Sequence, residues 1–279
     1  MDIKFTKLQG TGNDYIAIDG RNFDHDWGQL SLKMSKPAFG VGSDGIVVVK
    51  NSDIAQIRML VFNPDGTEAE MSGNGIRLFS KFVIDNNLAI PKDNSLQIET
   101  GGGVRTLWPR ILDNKMISAK VAMGKAEFEP KNIPVKMNRN CFDIDILDRK
   151  LSLTCLSIGN PHAVTIIEDN VDNFPLVEIG SIIENHEIFP NRINFEVVNI
   201  LDRKNIRSRI FERGAGETLS SGTGSTASAT ASKFHNLVDH NVDVHLDGGI
   251  LNISWDENEE IYLSGPAVEV FTGIWKTND

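Results

Sequence analysis

The chain is poor in cysteine, has no excess of positive charge and contains no long apolar run. Its 279 residues include only Cys141 and Cys155, too few for a disulfide framework, so we expect a cytoplasmic protein. The net charge of −10 argues against a nucleic-acid partner. No apolar stretch approaches the about 20 residues that cross a bilayer, and the N-terminus lacks a signal-peptide pattern. Neither a nucleic acid nor a membrane is therefore expected as a partner.

Motifs for metals and cofactors are missing as well. No Cys/His spacing suggests a zinc site, and no pyridoxal phosphate motif is present, so the sequence predicts neither metal nor cofactor. Hydrophobic residues make up 40% of the chain and charged residues 24%, which is ordinary for a soluble globular protein. The length is sufficient for two domains.

The chain does contain one glycine-rich stretch that occurs twice, at residues 62–75 and 211–224. Each copy begins at a phenylalanine that ends a predicted strand and reaches Ser-Gly-X-Gly ten residues later. The serines are Ser72 and Ser221, and a predicted helix follows each. A Gly-Asn pair and a tryptophan recur at nearly the same offset. The sequence therefore predicts a two-fold internal repeat.

A glycine-rich turn that leads into a helix directs backbone N–H groups at one point. The helix dipole adds partial positive charge there, and such a point binds anions. Two such turns predict a site built from two helix N-termini. Taken alone, each serine is better explained as a structural N-cap, for which serine is a favoured residue, and it is the duplication that favours a site.

Two matched turns suit a reaction that inverts one carbon. A base on one face removes a proton and an acid on the other face returns one, while helix N-termini stabilise a carbanion next to a carboxylate. We expect the two serine hydroxyls to face each other across one cleft. Because each must approach the carbon to about 3–3.5 Å, the oxygens should lie about 6–7 Å apart with ligand bound.

Five motifs, in order and over nearly the whole chain, resemble those of diaminopimelate epimerase. They are Gly10-Thr11-Gly12-Asn13-Asp14, Phe62-Asn63-Pro64-Asp65-Gly66, Ser72-Gly73-Asn74-Gly75, Gly159-Asn160-Pro161-His162 and Glu212-Arg213-Gly214-Ala215-Gly216-Glu217-Thr218. The resemblance implies an α/β (α+β) fold of two pseudo-symmetric halves, each a mostly antiparallel sheet wrapped around a central helix. The active site would lie in the cleft between them. The predicted halves are residues 1–122 with 265–279, and residues 123–264.

The same resemblance implies an isomerase. The reaction would be the cofactor-independent, two-base inversion of LL- to meso-diaminopimelate in lysine biosynthesis, carried out by a cytoplasmic homodimer. The small-molecule partner would thus be an amino acid, diaminopimelate.

Roles carry over residue by residue from the resemblance. The catalytic positions are Ser72 and Ser221, with His162 and Glu212 tuning them. The substrate-binding residues are Asn13, Asn63, Gly73, Asn74, Asn160, Asn194, Glu212, Arg213, Gly222 and Thr223. The chemistry agrees for Glu212 and Arg213, since a carboxylate suits an ammonium group and a guanidinium fork suits a carboxylate.

Two alternatives stay open at the level of single residues. An asparagine in a turn can satisfy its own backbone instead of a ligand, and a lone histidine is usually structural. Arg77 and Arg105 are interpreted as surface or structural charges.

One departure from the family is serious, because the family has a catalytic cysteine where this chain has Ser72 and another where it has Ser221. A thiol has a pKa near 8.5, whereas a serine hydroxyl is about as weak an acid as water, with a pKa of about 15.7. The gap of about 7 units corresponds to about 10 kcal/mol. A helix dipole contributes at most about 2 kcal/mol, so we expect a very poor epimerase.

Three explanations of the serines remain. The chain could be an engineered double Cys→Ser variant, a natural isomerase or lyase with altered chemistry, or an amino-acid-binding relative that kept the pocket and lost catalysis.

Overall fold

The structure is a computed structural model that describes residues 2–70 and 72–277. Met71, within the first glycine-rich stretch, lies outside the described residues. The chain divides into two compact units, Met1–Ala122 with Ser264–Asp279 and Met123–Leu263. The chain thus leaves the first unit and returns to it, and its last strand pairs with its first.

Strands dominate both units, and four α-helices occur among the described residues. The first elements along the chain are β1 (Asp2–Gly10), β2 (Asn13–Asp19), α1 (Trp27–Met34), β3 (Ile46–Lys50), β4 (Ile57–Phe62), β5 (Glu68–Ala69), α2 (Gly73–Asp85), β6 (Leu96–Thr100), β7 (Gly103–Leu112) and β8 (Lys115–Gly124). Next along the chain come β9 (Cys141–Ile146), β10 (Arg149–Ser157), β11 (Pro161–Ile166), a 3₁₀ turn (Val171–Asn173), α3 (Leu176–Glu184), β12 (Asn194–Asp202), β13 (Asn205–Glu212), β14 (Gly216–Thr218), α4 (Gly222–Phe234), β15 (Asn241–Leu246), β16 (Gly249–Trp255), β17 (Ile261–Pro266) and β18 (Val268–Lys276).

The strand pairing of the first unit recurs in the second. In the first, β1 pairs antiparallel with β2, β2 parallel with β3, β3 antiparallel with β4, and β4 parallel with β6. In the second, β10, β11, β12, β13 and β15 repeat the same sequence of pairings. The predicted α+β fold and the internal repeat are therefore confirmed, with a few parallel pairs inside mostly antiparallel sheets.

The helix that follows each glycine-rich stretch is buried. Every residue of α2 from Asn74 to Ile84 is buried, although the sequence shows polar side chains among them. In α4 the buried residues are all Gly, Ala, Ser or Thr, whose small side chains let the helix lie close against the sheet. Buried hydroxyl groups of α4 are satisfied where they donate hydrogen bonds to backbone carbonyls one turn back, as Ser225 does to the Ser221 carbonyl at 2.7 Å.

Strand β12 shows how alternation directs side chains to the two faces of the second sheet. Phe195 and Val197 pack in the core that contains α3, whereas Val198 belongs to the core that contains α4. Because successive side chains point to opposite faces, Glu196 shares the α4 face. The charged side chain of Glu196 thus reaches the N-terminal end of α4 from between apolar neighbours on β12.

Among the described residues, no helix combines the length and the apolarity that crossing a membrane requires.

The tight packing around α4 can be tested with Ala229→Leu. Ala229 is fully buried, and added methylenes in a packed core cost about 1–3 kcal/mol. We expect a lower urea midpoint for the second unit, followed by tryptophan fluorescence and circular dichroism. Ser181→Leu, at an exposed position of α3, is the control and should leave the midpoint unchanged. Equal midpoints for the two variants would mean that α4 is not closely packed.

Candidate active site

Ser72 is the N-cap of α2. Its φ and ψ are −135° and 124°, and its hydroxyl accepts a hydrogen bond from Gly75 N–H at 3.0 Å. Strand β5 pairs with the end of β4, which folds the loop back and brings the serine to the edge of the sheet. The Tyr15 hydroxyl, on β2, donates to Ser72 Oγ at 3.2 Å. Ser72 therefore meets a hydrogen-bond donor.

Ser221 has the same geometry at the start of α4. Its φ and ψ are −136° and 131°, and it accepts from Gly224 N–H at 3.2 Å. Here the loop is folded back by β14 on β13. Ser221 Oγ donates to Glu212 Oε2 at 3.0 Å, and the other carboxylate oxygen accepts from Thr218 at 2.8 Å. Ser221 therefore meets a carboxylate acceptor, so the two matched serines differ in their neighbours.

Arg77 lies fully buried one turn into α2. It donates to the Gly73 carbonyl at 3.1 Å and to Asn74 Oδ1 at 2.8 Å. Among the described residues no carboxylate pairs with it and its Nε has no partner. Burial lowers the pKa of Arg77 to about 10. Of the two interpretations given for Arg77, the structure excludes a surface charge, because Arg77 is a buried cation at the N-terminus of α2 and holds the Asn74 side chain.

The predicted residues Asn13, the first residue of β2, and Asn63, directly after β4, both belong to the first unit. The Asn13 amide donates to Asp44, whose carboxylate also accepts from Asp14 N–H at 2.9 Å. Burial raises the pKa of Asp44, while the Asn13 hydrogen bond opposes that rise. Asn63 donates to Thr67 Oγ1 at 3.0 Å, so its side chain supports its own turn.

Asn160 and His162 form a chain with Glu196. His162 Nδ1 lies 2.6 Å from Glu196 Oε1, and His162 Nε2 lies 2.9 Å from Asn160 Oδ1. The Asn160 amide donates to Thr223 Oγ1, in the first turn of α4, at 3.3 Å. Both ring nitrogens of the buried His162 thus have hydrogen-bond partners within this chain of side chains. The side chain that accepts a hydrogen bond from Ser221 is Glu212 instead.

Asn194 joins two loops of the second unit. Its amide donates to the Pro161 carbonyl at 2.7 Å, and its oxygen accepts from Arg213 N–H at 2.9 Å. The Arg213 side chain is exposed and donates to the Asn191 carbonyl at 2.9 Å. The backbone beside Arg213 is therefore fixed, while its guanidinium sits at the surface of the unit.

A comparison with known protein families matches residues 5–129 and 154–270 to diaminopimelate epimerase. The chain is 41% identical over 282 residues to the diaminopimelate epimerase of Acetivibrio thermocellus, covering 99% of this chain and 100% of that one. It is 42% identical over 276 residues to that of Methanococcus maripaludis, with coverages of 97% and 99%. The chain belongs to the diaminopimelate epimerase family. It is thus a member of an isomerase family.

Solved structures share the fold. A phenazine biosynthesis protein of the PhzF family from Bacillus anthracis superposes with a TM-score of 0.73 at 18% identity, covering 99% of this chain and 100% of that one. A hydroxyproline epimerase from Agrobacterium vitis gives a TM-score of 0.71 at 11% identity, with coverages of 98% and 91%. At these identities the likeness concerns the fold alone.

Sequence reasoning missed three polar residues that line the two helix N-termini of this family member: Tyr15, Arg77 and Glu196. Glu196 had a usable signal, because a carboxylate inside an otherwise apolar strand rarely lies buried without a role. Tyr15 and Arg77 had none, since their positions depend on how β2 and α2 pack. Within the described ranges no group of three or more His, Cys, Asp or Glu side chains could hold a metal ion.

The Ser221–Glu212 contact can be tested by placing a thiol there. In Ser221→Cys, the neighbouring carboxylate should raise the thiol pKa by like-charge repulsion. Adding Glu212→Gln should then lower the pH midpoint of alkylation by about one unit or more, read by mass spectrometry of the peptide. Adding Glu217→Gln, which removes an ion pair with Arg209 instead, is the control. Equal midpoints with and without Glu212→Gln would show that the carboxylate does not face position 221.

Proposed function

We propose that this chain binds diaminopimelate in the manner of a cofactor-independent epimerase, with Ser72 and Ser221 at the positions of the two bases. The reaction for which this site is arranged is the inversion of LL- to meso-diaminopimelate in lysine biosynthesis. The observation that carries the proposal is the pair of serine N-caps with matching backbone angles, one at each buried helix N-terminus. A cytoplasmic homodimer belongs to the same proposal, from the family resemblance.

The chemistry of the helix ends supports a carboxylate ligand. The N-terminus of a helix attracts anions through its dipole and its unpaired N–H groups. At α2 this attraction is reinforced by the buried Arg77 cation, which among the described residues lacks a carboxylate partner. A ligand carboxylate at Gly73 and Asn74 would supply the missing negative charge. At α4, Gly222 and Thr223 occupy the equivalent positions.

The two serines make this form a poor catalyst in the proposal. Glu212 can accept the Ser221 proton at 3.0 Å, but it cannot remove the difference of about 10 kcal/mol between a hydroxyl and a thiol as acids. Ser72 has a phenol donor beside it, which stabilises an anion there without acting as a base. Ligand binding should therefore persist while proton abstraction is very slow.

The proposal predicts that Ser72→Cys combined with Ser221→Cys creates epimerase activity. A thiolate at each helix N-terminus supplies the missing base. The measurement is loss of the α-proton of LL-diaminopimelate in deuterated water, followed by NMR, with meso product counted by chiral chromatography.

The single variants Ser72→Cys and Ser221→Cys are the controls and should give far less meso product than the double variant, because inversion needs both groups. If the double variant exchanges no faster than the serine form, the epimerase assignment is wrong. If the serine form itself turns over rapidly, the role given to the missing thiols is wrong.

A second prediction concerns Arg77→Gln. Removing the buried cation should weaken diaminopimelate binding about tenfold or more, as expected for one hydrogen bond or charge contact of about 1.5–3 kcal/mol. Calorimetry on the serine form measures the affinity without turnover.

Arg105→Gln is the matched control, since Arg105 is a half-buried arginine of the same unit on β7. Equal affinities of Arg77→Gln and Arg105→Gln, with both proteins folded, would place the ligand carboxylate away from α2. Binding of other amino acids in preference to diaminopimelate would favour an amino-acid-binding relative instead.

A further inference from the structure

Glu196 is a fully buried carboxylate on β12 that faces the N-terminal turn of α4. A Cβ atom added to Gly224 would lie 3.1 Å from Glu196 Oε1, so the helix backbone rests directly against the carboxyl group. Oε1 lies 2.6 Å from His162 Nδ1, and Oε2 has no hydrogen-bond partner among the described residues. A buried carboxyl in this setting is costly unless it holds or shares a proton.

The proton has one reasonable location. If Oε2 carried it, the hydrogen would point at no acceptor, so it belongs on the side of Oε1, between that oxygen and His162 Nδ1. The environment agrees, because burial raises the pKa of Glu196 and the carboxylate of Glu212 raises it further, while His162 opposes both. Glu212 on β13 and the Cys155 thiol on β10 are the other titratable groups that interact with Glu196.

The hydrogen bond at the other ring nitrogen of His162, Nε2, supports the same proton location. Asn160 Oδ1 lies 2.9 Å from His162 Nε2, and an amide oxygen can only accept, so Nε2 carries a hydrogen. With Nε2–H present, Nδ1 either accepts from a protonated Glu196 or is itself protonated and donates to the carboxylate. Both cases place the shared proton between Glu196 and Nδ1.

The opposite tautomer of His162 would reverse the orientation of the Asn160 side-chain amide. An ionised Glu196 with a neutral ring protonated only at Nδ1 would leave Nε2 as an acceptor. The Asn160 amide would then turn over, directing NH₂ at the ring and its oxygen at Thr223. The Glu196–His162 pair carries one proton in this arrangement and two in the arrangements above, so the second proton decides which end of Asn160 faces the start of α4.

We propose that Glu196 is a positioning residue which, through His162, holds the NH₂ group of Asn160 toward Thr223 and the N-terminus of α4. Resting on the proposed function, this makes Asn160 a hydrogen-bond donor to a ligand carboxylate at that helix end. A reversed Asn160 would present an oxygen to the carboxylate and repel it. With its NH₂ group toward Thr223, Asn160 instead adds a donor beside the N–H groups of the helix end, as an anion requires.

The first test is the tautomer of His162 in the ligand-free protein, read by long-range ¹H–¹⁵N NMR with His162→Gln to assign the signal. The expected result is a hydrogen on Nε2 in the wild-type chain. A ring protonated only at Nδ1 would overturn the proposal. This readout does not depend on whether diaminopimelate binds.

The second test compares affinities for diaminopimelate by calorimetry. Glu196→Gln can still donate an amide hydrogen to Nδ1 and should keep Nε2–H, with affinity within about threefold of the wild type. Glu196→Met, of similar size and without a donor, should lose about tenfold or more, as for one hydrogen bond to a charged group. Glu217→Met, at an exposed glutamate of the same unit, should change nothing.

Asn160→Asp covers the case in which Glu196→Met does not fold. Its carboxylate still accepts from Nε2 but cannot donate, so the tautomer should persist while affinity falls about tenfold or more. Wild-type affinity in folded Glu196→Met or in Asn160→Asp, or a Glu196→Gln variant as weak as Glu196→Met, would refute the proposal. If the wild-type chain binds no diaminopimelate, the proposed function fails, and the His162 tautomer alone decides the role of Glu196.

Discussion

The structure depends on the N-terminus of one buried helix in each unit, half-buried at Ser72 and buried at Ser221, where the serine hydroxyl accepts from the N–H group three residues on. Burying such an end is costly because its N–H groups have no intrahelical partners. Both units offset this cost in the same way. A short strand folds the preceding loop back on the sheet, and an N-cap serine accepts from one of the N–H groups. The remaining N–H groups are what an anionic ligand can use.

The scaffold is repeated, but the charges placed on it are not. The first unit puts a cation and a phenol at its helix end, Arg77 and Tyr15, whereas the second puts Glu212, Glu196 and His162 at its own. A base that abstracts a proton and an acid that returns one need different surroundings. The asymmetry therefore fits the two opposite roles that the proposed inversion assigns to the two ends.

Much of this architecture could be predicted from the sequence, because it is encoded locally. The Ser-Gly-X-Gly turns, the N-caps and the small side chains of α4 are each readable within a dozen residues, and the repeat follows from their spacing. Strand β9 has no such local signal, since it owes its place to pairing with β10. The two-residue β5 has none either, as it exists only through its register with β4.

The sequence indicates candidate residues for the site but not the contacts that they make. Asn194 stays a predicted substrate ligand, and the structure adds that its amide joins the Pro161 carbonyl to the Arg213 N–H group. Arg77 looks like a surface residue in a helical pattern, and its burial follows only from the enclosure of α2. The role proposed for Glu196 depends on its hydrogen bond with His162, a residue 34 positions away on the same face of the sheet. Such relations come from tertiary packing, which no local pattern contains.

The most direct test of the account is a crystal structure of the serine form with diaminopimelate bound. It should show the reacting carbon within about 3.5 Å of both the Ser72 and the Ser221 hydroxyl oxygens, on opposite faces. The carboxylate beside that carbon should accept from the N–H groups at Gly73–Asn74 and Gly222–Thr223. A ligand that reaches only one of the two serines, or that binds away from both helix N-termini, would contradict the account.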